Sequence, residues 1–280
     1  IHGTSGSTIE DVVVFGHRGA PIYFENGAEY GNVVKNSALG CEWKSAFHMK
    51  AKCVLAEGVP NNGDSDIGEQ SGIYSISGFA MSVEGTHIWG FDNALFINQQ
   101  SGAYGGDIAA GKVAAKGSPL GDYKYNVFHD CSGFGWYING HYPLDLSLNT
   151  DGYILDWRKA APFDPRTGDD NAKPVTLRDH IEYHNDFSLG AYDLGDFRSY
   201  NYTQIRSNQG LYWKAYRRTA NVDNVPLVEN SYLAMAQFGG AGMMLPGGQG
   251  LVELKNCVWE TGGASLNHHC AINGIVTGGI

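Results

Sequence analysis

The chain is poor in charge, poor in basic residues and without long apolar runs. Asp, Glu, Lys and Arg make up only 17% of its 280 residues, and 19 Lys and Arg stand against 29 Asp and Glu, a formal net charge of −10. That balance excludes a nucleic-acid or anionic-membrane surface, because both need clustered Lys and Arg to displace counterions from phosphate. Cations and neutral glycans are easier partners. No segment approaches the roughly 18 to 20 apolar residues that a membrane-crossing helix needs, so no membrane span is expected. The opening IHGTSGSTIED has neither the basic nor the apolar region of a signal peptide. It begins inside what reads as a strand and turn, so a longer precursor is expected, with any leader upstream of Ile1.

What the chain does have is Gly, at 39 residues, and aromatics, with 16 Tyr, 12 Phe and 6 Trp. Turn-formers and strand-formers in a background low in Lys, Glu and Arg are the composition of an all-β protein. Five segments superpose: 11–25 (DVVVFGHRGAPIYFE), 86–98 (THIWGFDNALFIN), 125–139 (YNVFHDCSGFGWYIN), 180–194 (HIEYHNDFSLGAYDL) and 202–214 (YTQIRSNQGLYWK). Each reads as a short alternating strand, a polar corner and a second strand rich in aromatics. Shorter echoes occur at 32–40, 227–235 and 251–259.

Val12 to Val33 is 21 residues, His184 to Arg206 is 22 and Asn230 to Asn256 is 26, the period of a solenoid coil. His129 to His184 is 55, as if about 33 residues had been inserted into a coil, and 143–175 supplies them. Further excursions are expected at 54–78 and 99–122. The expected fold is therefore all-β: one right-handed parallel β-helix over residues 1–280, a fragment of a larger chain. A β-sandwich also has many short strands, but it would not repeat the same corner in register.

Residues 1–40 resemble the parallel β-helix region of the cell-surface hyaluronidase and fibrocystin group, whose members often carry a G8 domain ahead of the helix. The matching features are Ile1-His2-Gly3-Thr4, Asp11-Val12-Val13, the turn Phe24-Glu25-Asn26-Gly27 with Glu29, and Asn32-Val33-Val34 leading to Asn36. The later run DSDIGEQSGIYSISG resembles the Ser-Asp segment of that group, and LRDHIEYHNDFSLGAYDL resembles one of its late coils. The chain departs from it at Arg18-Gly19-Ala20 and Glu25-Asn26, and the G8 domain is absent. The resemblance implies a secreted or surface glycoprotein in contact with glycans or matrix, and it does not carry a hyaluronidase catalytic apparatus over whole.

His180-x-Glu182-x-His184 sets three polar side chains on one face if the strand is regular. The coil alignment puts His129 and Arg206 level with His184. Such a column could bind a divalent cation or a uronate carboxylate, or supply a base for glycan cleavage; the plainer reading is a solvated ladder of outward polar residues. Trp136, Tyr137, Tyr183, Tyr192, Tyr212 and Trp213 are candidates for a sugar-binding groove or for stacked core aromatics. Asp64, Asp66 and Glu69, like Asp164, Asp169 and Asp170, offer oxygen ligands for calcium or are simply solvated loops.

LNTDG fails as an EF-hand because Arg158 stands where a bidentate Glu is required, and GDIAAGK fails as a phosphate loop because Val113 follows its lysine. His268 and His269 would face opposite ways on a strand. Five cysteines leave one unpaired: Cys41 with Cys53 and Cys257 with Cys270 could bridge neighbouring coils, leaving Cys131, or each could be a buried thiol. Asn201-Tyr202-Thr203 is a glycosylation sequon.

The function these observations imply is an extracellular structural or adhesive β-helix module, a building block of a surface coat or filament that contacts glycans, matrix or copies of itself. The alternative is a glycan depolymerase of the cell-surface hyaluronidase type. No cofactor is required by either, calcium being the one candidate.

Overall fold

A computed structural model of the chain describes residues 1–17, 19–24, 29–41, 71–76, 80–98, 120–139, 174–192, 197–207, 209–213, 227–235, 243–245, 253–260, 266–268 and 275–277. Among these, strands form three sheets of nine, eight and eight members, each pairing parallel with the next coil. The chain is a parallel β-helix.

Sheet A stacks Thr8–Glu10, Val33–Lys35, Ser82–Glu84, Tyr123–Lys124, Val175–Arg178, Phe197–Tyr200, Leu227–Glu229, Glu253–Lys255 and Ile275–Thr277. Sheet B stacks Val13–Phe15, Ala38–Gly40, His87–Trp89, Val127–His129, Ile181–Tyr183, Thr203–Ser207, Tyr232–Met235 and Val258–Glu260. Sheet C stacks Ile22–Phe24, Ser71–Ile76, Asn93–Asn98, Phe134–Asn139, Phe187–Tyr192, Gln209–Trp213, Met243–Leu245 and Leu266–His268.

Strands as short as three residues need an abrupt bend after each, and the sequence provides it chemically. Between sheets A and B one residue enters the left-handed region: Asp11, Asn36, Gly85, Tyr125, Asp179, Asn201, Asn230 and Asn256 all have φ between 49° and 59°. Asn, Asp and Gly tolerate that conformation best. At several of these corners the residue after it points inward and ties two coils together. Ser37 Oγ donates to the Lys35 carbonyl at 2.9 Å and accepts from Val12 N at 3.3 Å. Ser231 repeats the pattern with Glu229 and Tyr202. Asn126 accepts from Thr86 N at 2.9 Å and donates to the Val83 carbonyl at 2.8 Å. These corners satisfy buried backbone groups that the sheets leave over.

One apolar core runs through the column, from Ile22 and Phe24 through Leu39, Ile88, Phe128, Trp136, Leu177 and Phe197 to Leu254 and Cys257. On the outer face of sheet A the third positions read Glu10, Lys35, Glu84, Lys124, Arg178, Tyr200, Glu229 and Lys255 in register. Successive coils are thereby linked by Lys35–Glu10 at 3.1 Å, Lys124–Glu84 at 3.3 Å and Lys255–Glu229 at 3.0 Å.

Several boundaries differ from expectation. The excursion expected at 54–78 ends earlier, because Ser71–Ile76 is a core strand of sheet C with Ile73 and Ser75 buried. Leu120 and Val175, expected inside excursions, are buried as well. The segments 32–40 and 227–235, with the described part of 251–259, repeat a sheet A strand, corner and sheet B strand, one step earlier in the coil than the five longer segments. Val33 therefore pairs with Thr8, not with Val12.

Of the two readings of Cys257, the buried thiol holds and the bridge to Cys270 does not form. Cys257 is a buried free thiol in the inward corner position, with Sγ 3.3 Å from the Val228 carbonyl and 3.4 Å from that of Lys255, doing what Ser231 does one coil earlier. Cys131 is a buried free thiol, as expected. Cys41 is disulfide-bonded, and its partner lies outside the described residues, as do Cys53 and Cys270. No helix among the described residues is long and apolar enough to cross a membrane.

Candidate functional site

The second corner, between sheets B and C, carries the polar residues that the sequence singles out. Asp130, His184 and Arg206 occupy its left-handed position, at φ 53°, 55° and 55°. His184 and Arg206 are thus vertical neighbours, as the 22-residue spacing requires, and His184 N donates to the Ile205 carbonyl at 3.1 Å. His129 is not in that column. Its strand pairs it with Tyr183, and Asp130 takes the place level with His184. Aligning the two histidines by identity shifts the register by one residue; aligning the corners does not.

His180, Glu182 and His184 do not share a face either. His180 and Glu182 point into the core and are wholly buried, whereas the left-handed turn at His184 breaks the alternation and leaves that side chain 47% exposed. His180 Nε2 lies 3.0 Å from Glu182 Oε1, and Asn185 Nδ2 donates to Glu182 Oε2 at 3.2 Å. Burial pushes the Glu182 carboxyl above the ordinary range, and His180 and Asn185 oppose that push. This pair is structural: solvent and substrate do not reach it.

Outside, four residues form a connected cluster. His129 Nδ1 is 2.6 Å from Asp130 Oδ2, and His184 Nδ1 is 3.5 Å from Asp130 Oδ1. His129 Nε2 is 2.6 Å from His87 Nε2 on the preceding coil. The His129 ring lies parallel between Trp89, at 6.0 Å and 3°, and Tyr183, at 4.4 Å and 7°. Burial works against ionisation of Asp130, but its hydrogen bond to His129 and the charges of His129 and His184 outweigh it and hold the carboxyl below its ordinary value. Burial, and then the charge of His129, lowers the pKa of His87. Tyr183 is raised by burial and then by Asp130. A carboxylate that fixes one imidazole, beside a second imidazole, is suited to holding a proton or presenting a nitrogen lone pair.

Of the two readings of the aromatics, core packing holds for Trp136, and the described members do not form one sugar-binding surface. Trp136 is a core residue, packed on Tyr123 at 5.5 Å and Phe197 at 5.7 Å, because its strand position faces inward between Leu95 and Leu189. Tyr137 faces outward in a ladder with Tyr23, Tyr74 and Phe96, at ring separations of 5.2, 5.2 and 4.6 Å. Rings stacked this way spend their faces on each other and offer only edges to a sugar. Tyr192, Tyr212 and Trp213 lie on sheet C strands, and their side chains are outside the described residues, as are Asp64, Asp66, Glu69, Asp164, Asp169 and Asp170. Asn201 is exposed at a corner, its Nδ2 donating to Asp179 Oδ1 at 2.9 Å.

Sequence reasoning missed His87, Trp89 and Asp130. The signal available was the recurring outward third position of sheet B, where Trp89, His129 and Tyr183 align. Among the described residues no group of three or more His, Cys, Asp and Glu side chains is arranged to hold a metal ion. Comparison with known protein families, with curated proteins and with solved structures found no match.

Proposed function

We propose that the chain is a rigid extracellular building block, a structural or adhesive β-helix module of a secreted or cell-surface glycoprotein. The observation that supports this most is the nine-membered sheet A, whose coils are joined by main-chain pairing, by hydrogen-bonded corners and by a ladder of opposite charges. At about 4.8 Å per coil such a column resists bending and stretching along its axis. The acidic balance and the resemblance to the hyaluronidase and fibrocystin group favour matrix, glycans or further copies as its contacts. Expression of the full natural chain in eukaryotic secretory cells tests the compartment: the protein is expected in the medium or on the surface, with a glycan that is lost in Asn201→Gln. Retention of the unglycosylated chain in the cytosol would overturn the reading.

A second reading, glycan cleavage in the hyaluronidase manner, draws on the His129–Asp130 pair and on His184 and Arg206 beside it. An imidazole oriented by a carboxylate is the geometry of a general base. Depolymerisation of hyaluronan, abolished by His184→Ala and by Arg206→Ala, would put this reading first; intact polymer after prolonged incubation leaves the structural role in place.

A further inference from the structure

We infer that His87 and His129 form a two-imidazole site for a borderline-soft divalent metal ion, zinc above all, which clips two adjacent coils together on the outer face of sheet B. The two Nε2 atoms converge to 2.6 Å from neighbouring strands, although their residues are two places apart in register, since His87 pairs with Val127. Convergence of two ring nitrogens across coils is not something backbone pairing imposes.

His129 is held for the task. With Nδ1–H donated to Asp130 at 2.6 Å, the lone pair sits on Nε2, and the Trp89 and Tyr183 rings on either side prevent the imidazole from turning away. A carboxylate behind a ligating histidine fixes its tautomer and strengthens it as a donor. Two nitrogens at about 2.0–2.1 Å from a tetrahedral zinc lie about 3.3 Å apart. Opening the present pair by less than about 1 Å reaches that geometry, and His87, exposed at the start of its strand, is the side chain that moves. Imidazole nitrogens suit zinc, copper(II) and nickel(II) and discriminate against calcium and magnesium, which take oxygen ligands. Water completes the coordination, so the site is open and weaker than a closed four-ligand zinc centre. The inference is independent of which reading of function holds.

Calorimetric titration of the metal-free protein with zinc, and the visible absorption of cobalt(II) in its place, test it. One saturable equivalent per chain is expected, with a tetrahedral cobalt spectrum, a raised melting temperature and no competition from excess calcium or magnesium. His87→Ala and His129→Ala are each expected to abolish that equivalent, and Asp130→Asn to weaken it by about 10- to 100-fold. His87 is exposed, so its variant retains the fold; should His129→Ala fail to fold, His87→Ala alone decides. No saturable equivalent in the wild-type protein, or an unaltered one in His87→Ala, would overturn the inference.

Discussion

Along the inner face of sheet B, the coils of the first half carry Val14, Leu39, Ile88 and Phe128, and the next two carry Glu182 and Gln204 before Leu233 restores the pattern. The backbone is the same in both regions; the interior is not. Phe128 and Glu182 are equally inaccessible, yet one is stabilised by removal of apolar surface from water and the other needs a partner for every polar atom. Glu182 has His180 and Asn185, while Asn185 also accepts from Cys131 N at 3.0 Å and donates from its own N to Ser207 Oγ at 3.2 Å. Among the described residues His180 Nδ1 and Gln204 Oε1 have no hydrogen-bond partner, and neither do Tyr123 Oη and Trp136 Nε1 in the coil of Phe128, so orphaned polar atoms occur in both kinds of coil. A solenoid thus tolerates a change in interior chemistry coil by coil, provided the replacement network is local.

The largest effects are expected from breaking either kind of coil. Phe128→Ala leaves a cavity and is expected to lose about 3–5 kcal/mol. Glu182→Ala strands the buried His180 and is expected to lose a similar amount, about 3–5 kcal/mol. Replacing both polar partners sharpens the contrast: His180→Phe with Glu182→Leu should be neutral or stabilising by about 1–4 kcal/mol. Urea unfolding of the three variants measures it. A double variant as unstable as Glu182→Ala would mean that the coil needs its polar network for more than satisfying His180 and Glu182.

Gly135 gives the next effect. An added Cβ there would come within 1.8 Å of Glu182 Oε2 and 2.6 Å of Asn185 Nδ2, both fixed by the hydrogen bonds that hold the coil. Gly135→Ala is expected to destabilise by about 1–3 kcal/mol. In a Glu182→Ala background the closest of these contacts is gone and Asn185 Nδ2 has lost the hydrogen bond to Glu182 that helps to fix it, so the two losses should fall short of adding. Strict additivity in the double-mutant cycle would deny that Gly135 exists to admit the carboxylate.

These regions also show what was legible from the chain. The parallel stacking of coils and the His184–Arg206 register follow from period and corner residues, because a left-handed position recurs whatever the side chains around it do; Val12 with Val33 and His129 with His184, aligned by residue type, are each out of register. The facing of His180-Glu182-His184 was not legible by alternation alone, since one residue at φ 55° reverses it. Two buried ionisable groups also break the rule that core positions are apolar. The His87–His129 contact was hidden for a different reason: the two residues are two places apart in register and meet only through their side chains.

On the outer face of sheet B the same histidine chemistry meets solvent, and its signature is pH. His87 in the folded chain has a pKa below the ordinary 6.5, through burial and then the charge of His129. As pH falls through about 6.5 the unfolded chain therefore takes up a proton that the folded chain resists, and stability is lost until the folded value is passed. His87→Ala should flatten this part of the melting temperature against pH in metal-free buffer. An unchanged slope would assign the dependence to other groups.

The smallest effect belongs to the sheet A ladder. Lys35 and Glu10 meet at 3.1 Å with side chains 35% and 41% exposed, a pair in high dielectric that loses rotamer freedom to stay together. Lys35→Ala is expected to destabilise by under about 1 kcal/mol, and the loss should fade as salt is raised above physiological strength. Against the several kcal/mol expected at Glu182, the comparison sets an exposed carboxyl pair against a wholly buried one, each with a nitrogen about 3 Å from an oxygen. A Lys35→Ala loss that matched Glu182→Ala and resisted salt would mean that the outer ladder, rather than the apolar and polar interior, holds the coils in register.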